Sequence, residues 1–288
     1  MPTSKDLGDR QNRDGGWGYH RGGSSWTEPT SYALLALAAD GLAGGGGVRR
    51  GLSWLASQQR ADGGWAPRAG VEESTWVTAV ALLLPTELAG GADRNRAAAW
   101  LLAQTGRESG FVYRLRMRLL GVRAETDQEF EGWPWYPGTA AWVVPTALSI
   151  LAMEKLGRRS GDARLGERIA QGRAFLMARR CRDGGWNHGS TRALGYDSDS
   201  YPETTGVALL ALHGSEAPGM KGAVAAAERH LAQCKSPEAA SWLTLALLAQ
   251  GRQPSQLELA THGGTVELAL AALAQAARNG RNLLLDAS

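Results

Sequence analysis

Several carboxylates stand directly before strongly apolar segments of the chain, and carboxylates are among the groups with which proteins transfer protons. Glu28 and Glu203 each stand at the start of such a segment, and Glu72 and Glu73 precede a third. Two interpretations are open. The carboxylates cap helix N-termini, where the helix dipole favours negative charge. Alternatively, if the helices that follow run parallel, the carboxylates converge in one mouth, meaning the open end of the fold where the helices begin. Convergence would make an acid–base site.

Aromatic side chains accompany these carboxylates. The chain has 11 tryptophans and only 3 phenylalanines, so tryptophan has a repeated role. One group begins the apolar segments: Trp26, Trp76, Trp142 and Trp242. A second group lies in the adjoining loops: Trp133, Trp135, Tyr136, His188 and Tyr201. Together with Glu28 and Glu73 they predict an aromatic-lined mouth that binds an apolar substrate; the alternative is a packed core.

The elements that position these residues are repeated. Three segments that end in Asp-Gly-Gly-Trp are near copies, at Gln11 to Trp17, Gln59 to Trp65 and Arg180 to Trp186. The first two of these tryptophans lie 48 residues apart. A period of about 20–50 residues indicates a stacked or closed repeat architecture.

Each repeat contains an apolar helix and an amphipathic helix. A helix that is apolar on all sides is buried, and one with a single apolar stripe lies outside it. The sequence therefore predicts an all-α fold, an (α/α) toroid of about five to six hairpins with inner and outer helix rings, as one domain over residues 1–288. The inner helices are predicted near 30–41, 74–86, 139–156, 203–213 and 238–250.

The Asp-Gly-Gly-Trp segments are interpreted as structural staples. Glycine reverses the chain, because it tolerates positive φ, and the Gln or Arg at the start of the segment bonds the end of the preceding helix. The tryptophan ring lays a large surface on the neighbouring hairpin. We therefore expect Trp17, Trp65 and Trp186 to pack between hairpins and not to line a cavity.

The pattern Gln-x-x-Asp-Gly-Gly-Trp, followed by a helix of the Thr-x-x-Ala-Leu-Leu-Ala-Leu type, resembles the QW repeat of squalene–hopene and oxidosqualene cyclases. The resemblance covers roughly residues 10 to 250. Prenyltransferase β subunits and thioester domains share the barrel. This chain has the length of one barrel where triterpene cyclases carry two, and it lacks the thioester signature. Cys181 and Cys234 lie near outer-helix ends, so we expect no zinc site and no cofactor.

The resemblance implies a catalytic acid in an Asp-x-Asp-Asp motif before an inner helix. Asp197, Ser198 and Asp199 match its first three positions, and Ser200 replaces the last carboxylate. On this match Asp199 is the acid, Asp197 is its helper, and Glu203 is the rival because of its place beside the helix. The alternative is that Glu203 caps the helix and the aspartates are ordinary loop residues.

Three functions remain open on these residues. The first is a terpenoid cyclase-like isomerase that binds a hydrophobic polyprenyl molecule and cyclises it after protonation, without metal. The second is a non-catalytic toroid that binds a lipid or a protein. The third is a polysaccharide-active (α/α) barrel, for which Glu28, Glu73 and Asp199 supply paired carboxylates. Because triterpene cyclases carry two barrels and this chain has the length of one, we expect a homodimer or a second toroid partner.

Charge and hydropathy limit the kinds of partner and the cellular location that we expect. The net charge is +3 and the basic residues are dispersed, which argues against nucleic acid. The N-terminus has no signal-peptide core and no apolar run reaches about 20 residues, so we expect a cytoplasmic protein, with contact at the membrane periphery left open.

The segment 112–137 interrupts the repeat. Its arginines either meet a diphosphate or form a solvated surface; they are Arg114, Arg116, Arg118 and Arg123.

Overall fold

A computed structural model gives the architecture of the chain. The residues that the structure describes are 2–88, 90–110, 113, 115, 119–120, 130–160, 162–193, 196–254 and 263–286. Most of the interrupting segment, with all four of its arginines, lies outside these residues.

The described residues are mainly helical. In chain order the α-helices are α1 (Pro2–Asp9), α2 (Thr27–Ala39), α3 (Gly46–Ser57), α4 (Val77–Leu82), α5 (Arg94–Ala103), α6 (Val143–Ser160), α7 (Ala163–Ala178), α8 (Pro202–Ala211), α9 (Met220–Gln233), α10 (Pro237–Ala249) and α11 (Thr265–Arg278). Short 3₁₀ turns cover Thr86–Leu88 and Arg107–Ser109.

Strands are confined to two small antiparallel pairs in this part of the chain. In one pair β1 (Trp133–Pro134) lies beside β2 (Ala141–Trp142), with Trp133 opposite Trp142. In the other, β3 (Arg192–Ala193) lies beside β4 (Tyr196–Asp197). Both pairs precede an apolar helix, so they fix how the chain enters that helix.

Burial separates two kinds of helix, as the sequence predicts. Every residue of α2 except Glu28 is buried, and α8 is buried from Thr204 to its end. Outer helices instead bury one stripe: in α3 it consists of Val48, Gly51, Leu52, Trp54 and Leu55. A helix that is apolar all round is stable only when neighbours cover it on most sides.

Four of the five predicted inner helices are present near their predicted limits, and one is much shorter. The stretch expected to be helical over 74–86 contains only α4, which ends at Leu82. Pro85 disfavours helical geometry in the residue before it, and a 3₁₀ turn begins immediately after it at Thr86.

The described residues group into two compact units. Unit 1 draws its residues from Met1–Leu101, Ser236–Ser241 and Ser255–Ser288, and unit 2 from Leu102–Lys235 and Trp242–Pro254. In unit 1, α2 packs against α3, α4 and α11. In unit 2, α6 packs against α7 and α8, and α8 packs against α9. The expectation of one domain over residues 1–288 stays a prediction.

No helix among the described residues combines the length and apolar character needed to span a bilayer.

Candidate functional site

One hydrogen bond recurs in four repeats and fixes their common register. The main-chain N–H of the repeat tryptophan donates to a threonine hydroxyl in the first turns of the following apolar helix. The four pairs are Trp17 with Thr30, Trp65 with Thr78, Trp133 with Thr146 and Trp186 with Thr205, at 2.9, 2.9, 2.8 and 3.0 Å. Because each bond joins the same two points of a repeat, positions can be compared by counting from it.

The aspartate of Asp-Gly-Gly-Trp has a bracing role that the sequence did not reveal. In the first repeat the Asp14 carboxylate accepts from the N–H of Gly16 at 3.0 Å and from the hydroxyl of Ser25 at 2.8 Å. The same bonds recur from Asp62 to Gly64 and Ser74, and from Asp183 to Gly185 and Ser200. These aspartates therefore hold the loop against the start of the apolar helix.

The repeat glutamine bonds a different helix end from the one expected. Gln11 donates to the carbonyls of Gly15 and of Gly47, which lies in the first turn of α3. Gln59 in the same way joins Gly63 to Asp93, just before α5. The glutamine thus links its own loop to the start of the next outer helix, not to the end of the preceding one.

The burial that the staple interpretation predicts for Trp17, Trp65 and Trp186 is confirmed. Each is at most 2% exposed. Their indole N–H groups donate to main-chain carbonyls ten residues earlier, those of Leu7, Leu55 and Leu176, at 2.7, 2.8 and 2.6 Å. Buried on all sides, these rings have no face for a substrate.

Trp133 belongs to this structural set, which corrects its assignment to the substrate-binding residues. It is 1% exposed, and the Arg168 guanidinium lies 3.5 Å from its ring centre. A methyl group placed on Gly172 would come within 2.7 Å of the ring. Trp133 was misassigned because its segment reads Gly-Trp without the preceding Asp-Gly.

The common register separates the predicted carboxylates into two classes. Glu28 and Glu203 each lie two residues before the threonine of the tryptophan–threonine bond. Glu73 and Asp199 instead stand immediately before the bracing serines Ser74 and Ser200, and both are exposed. Only the first class lies within an apolar helix.

The surroundings of Glu28 change its acidity. It lies in the first turn of α2 and accepts a hydrogen bond from the Tyr19 hydroxyl. The pKa of the Glu28 carboxyl is raised to about 7, mainly by burial; the bond from Tyr19 lowers it and the charge of Glu238 adds to the rise. A helix N-terminus favours the charged form, so burial outweighs the dipole here. The carboxyl is about half protonated at neutral pH.

The tyrosine bonded to this carboxyl contacts a second aromatic ring in unit 1, and a cation lies over that second ring. The ring of Tyr19 meets that of Trp26 edge to face, with centres 5.4 Å apart at 66°. The Arg68 guanidinium lies 5.2 Å from the centre of the Trp26 ring. The loop that carries Arg68 is tied to the start of α2, because Thr27 bonds the carbonyls of Ala66 and Pro67.

The aspartates matched to the cyclase acid motif lie in a solvated hairpin of unit 2. Asp197 belongs to β4 and is paired with Arg182 at 3.2 Å, with 46% of its side chain exposed. Asp199 is exposed, and its carbonyl accepts from the Asn187 side chain. Water reaches both carboxylates, so these positions do not supply the desolvated acid that the motif implies. Glu203 is half-buried in the first turn of α8.

Three predicted aromatic residues of unit 2 lie together. The His188 ring is 6.2 Å from that of Trp142 and 5.3 Å from that of Tyr201. Trp142 is 39% exposed and Tyr201 46% exposed, so these rings face solvent. The cluster repeats the geometry of unit 1, since His188 and Tyr19 both follow the repeat tryptophan by two residues.

The remaining predicted residues are dispersed. Trp76 and Trp135 are half-buried and Tyr136 is 46% exposed. Trp242 is only 4% exposed and packs on Gly206 of α8, which leaves little of its ring for a ligand. The clustering of carboxylates from both units at one mouth stays a prediction.

Sequence reasoning missed Tyr19, Tyr32 and Glu238. Tyr32 is 1% exposed and, like Tyr19, has its pKa raised by burial and by the charge of Glu28. A signal for Tyr19 exists, because it stands two residues after a repeat tryptophan, as His188 does. Glu238 carries no comparable signal. Among the described residues no group of three or more His, Cys, Asp or Glu side chains is placed to hold a metal ion.

No family model matches this chain. A segment of 66 residues is 44% identical to drimenyl diphosphate synthase from Streptantibioticus cattleyicolor, which is 23% of this chain and 12% of that protein. The match thus spans about an eighth of the curated relative.

Solved structures match nearly the whole chain. The type II terpene cyclase MstE from Scytonema aligns with a TM-score of 0.57 at 18% identity, over 98% of this chain and 77% of that one. The endo-β-1,4-glucanase CMCax from Acetobacter xylinum aligns with a TM-score of 0.60 at 12% identity, over 97% and 99%. The fold is that of the (α/α) toroids. Because cyclases and glucanases share this toroid, the likeness carries fold and not activity.

Proposed function

We propose that this toroid binds a polyprenyl substrate and starts its cyclisation by protonating a carbon–carbon double bond with Glu28. The observation that carries the proposal is the Glu28 carboxyl itself. It is half-buried, it is bonded by Tyr19, whose ring contacts Trp26, and its pKa is raised to about 7. A proton donor of this kind must hold its proton near neutral pH, and desolvation among aromatic rings is what allows that.

The proposed step balances within the site. The O–H bond of neutral Glu28 breaks, a C–H bond forms at one carbon of the substrate double bond, and positive charge appears on the other carbon. A second double bond of the chain attacks that carbon and closes a ring. The ring of Tyr19 stabilises the cation by about 0.5–2 kcal/mol. Loss of a proton from the last cation ends the reaction, and Glu28 regains a proton from water.

This assignment moves the acid from Asp199, with Asp197 as helper, to Glu28. The reason is solvation, because both aspartates are exposed and Asp197 is already paired with Arg182. Glu203 keeps the same register as Glu28 and is the carboxyl that should be tested beside it. The aromatic cluster of Trp142, His188 and Tyr201 in unit 2 stays a proposed binding surface for an apolar ligand.

The comparisons support an isoprenoid substrate from two sides. The curated relative is a drimenyl diphosphate synthase, and one MstE structure holds geranylgeranyl dihydroxybenzoate as its substrate. The tryptophan repeats resemble those of cyclases that act on isoprenoids. The reaction would be an isomerisation, with the toroid taking its hydrophobic substrate from a membrane surface or a partner protein.

A second candidate is hydrolysis of a polysaccharide. The observation in its favour is that Glu28 and Glu238 act on each other electrostatically, and glycoside hydrolysis uses a pair of carboxyl groups. The toroid is also shared with endoglucanases. In this case Glu28 would be the general acid and Glu238 the base.

One experiment separates the two candidates. The purified protein and its Glu28→Gln variant are incubated with squalene, with geranylgeranyl dihydroxybenzoate and with soluble β-1,4-glucan, and products are identified by mass spectrometry. The proposal predicts cyclised isoprenoid from wild type alone. Release of sugars would favour the second candidate. A co-purified isoprenoid in native mass spectrometry, with no product in any assay, would favour a toroid that only binds.

A further inference from the structure

We propose that Tyr19 is the positioning residue of the proton donor, and that its hydroxyl fixes which oxygen of Glu28 delivers the proton. This inference rests on the proposed function of Glu28. It assigns a role to a residue that the repeat pattern treats as part of a loop.

Three contacts hold Tyr19 in place. Its main-chain carbonyl accepts from the N–H of Thr265 at the start of α11, at 2.8 Å. The edge-to-face contact with Trp26 fixes its ring, and its hydroxyl donates to Oε2 of Glu28. The main chain of Tyr19 is therefore held by α11 and its ring by Trp26, so two of the three contacts do not involve the carboxyl.

The direction of the hydrogen bond follows from the chemistry of the pair. Burial raises the pKa of the Tyr19 phenol far above its usual range, and the nearby charge of Glu28 adds to that, so the hydroxyl keeps its proton. Oε2 of Glu28 consequently accepts. When Glu28 is neutral, its own proton occupies Oε1, the oxygen that Tyr19 leaves available. A donor with one defined O–H direction transfers its proton more effectively than one that reorients between two oxygens.

The charged and titratable groups around the pair come from several elements. Glu238 stands in the first turn of α10, and Tyr32 lies one turn along α2. On the α11 side the Glu267 carboxylate is bonded to the N–H of Gly264 at 2.8 Å. His20 follows Tyr19 along the chain, and Arg68 lies over Trp26. Glu238, Glu28 and the two phenols act directly on one another, whereas Glu267 is engaged with the main chain.

Replacing Tyr19 with Phe removes only the hydroxyl and leaves the ring and the main-chain bond intact. The matched control is Tyr196→Phe, because Tyr196 is 78% exposed in β4 of the other unit. Isotope-edited infrared spectroscopy follows the Glu28 carboxyl stretch against pH, with Glu28→Gln identifying the band. Steady-state kinetics on the substrate turned over by wild type give kcat, KM and the pH profile.

The proposal predicts two effects of Tyr19→Phe. The Glu28 midpoint moves upward by roughly one pH unit, because the charged carboxylate loses a hydrogen bond. The kcat plateau at acid pH falls roughly 10-fold or more, with KM unchanged, and the alkaline limb moves upward with the midpoint. Tyr196→Phe changes neither the midpoint nor kcat.

The outcomes for Tyr19 and for Glu28 are distinguishable. An unchanged Glu28 midpoint and an unchanged kcat in Tyr19→Phe would overturn the role of Tyr19, even if Glu28→Gln is inactive. Full activity of Glu28→Gln would overturn the proposed function instead. The infrared midpoint would then still decide whether the Tyr19 hydroxyl is bonded to Glu28, since that measurement does not depend on turnover.

Discussion

Glu28 and Glu203 occupy equivalent positions in two repeats, each two residues before the threonine whose hydroxyl accepts a tryptophan N–H. Their surroundings differ because the residue two positions after the repeat tryptophan differs. In the first repeat it is Tyr19, whose hydroxyl bonds Glu28, and in the other it is His188, whose ring lies against Tyr201. The two carboxyls therefore share a place in the repeat but not the loop side chain beside it.

The raised pKa of Glu28 makes stability depend on pH. The carboxyl titrates near 4.5 in the unfolded chain and near 7 in the folded protein, so between these values the folded state binds more protons and stability falls as pH rises. Glu28 alone should lower the unfolding free energy by roughly 3 kcal/mol between pH 4 and pH 8. Urea unfolding of wild type and Glu28→Gln at both pH values checks this. An equal pH dependence in the two proteins would contradict it.

The staple tryptophans should dominate stability. Trp65 is 2% exposed and its indole bonds the Leu55 carbonyl, so Trp65→Ala should cost about 3–5 kcal/mol. Thermal unfolding measures this as a lower melting temperature. Trp142→Ala is the control, because Trp142 is 39% exposed and its removal leaves no enclosed cavity. Equal losses from the two variants would remove the distinction between staple and surface tryptophans.

Two glycines of α7 should respond in opposite ways to the same substitution. A methyl group on Gly172 would lie 2.7 Å from the Trp133 ring and 3.0 Å from Ile150, whereas one on Gly166 meets nothing within 4 Å. Gly172→Ala should therefore destabilise by about 1–3 kcal/mol. Gly166→Ala should stabilise by about 0.5–1 kcal/mol, since alanine favours a helix interior. Chemical denaturation of both variants gives the sign of each change in unfolding free energy. A stabilised Gly172→Ala variant would show that the Trp133 ring does not require a glycine at position 172.

The fold was predictable because its signals are local and repeated. All-apolar helices such as α2 must be covered by neighbouring helices. Each of the three Asp-Gly-Gly-Trp copies also contains the tryptophan that acts as its staple. The exceptions have identifiable causes. Pro85 shortened α4, and the altered segment before Trp133 hid a fourth staple whose bond to Thr146 matches the others.

The site was less predictable because its chemistry depends on contacts that are distant along the chain. The sequence included Glu28 among its carboxylates but favoured Asp199, since motif matching does not measure solvation. Tyr19 reaches Glu28 across a loop whose path is set by bonds to Trp17 and Thr265. Glu238 comes from a helix more than 200 residues further along. No local sequence pattern indicates that Glu238 acts on Glu28.

The most direct test of the account compares product formation by three variants under the same conditions. Glu28→Gln, Glu203→Gln and Asp199→Asn are purified, checked for wild-type folding by circular dichroism, and incubated with squalene and shorter polyprenyl substrates. The account predicts that Glu28→Gln forms no cyclised product, a loss of at least about 10²-fold, while Asp199→Asn retains the wild-type rate. Wild-type product from Glu28→Gln, with loss of product in Glu203→Gln or Asp199→Asn, would contradict it.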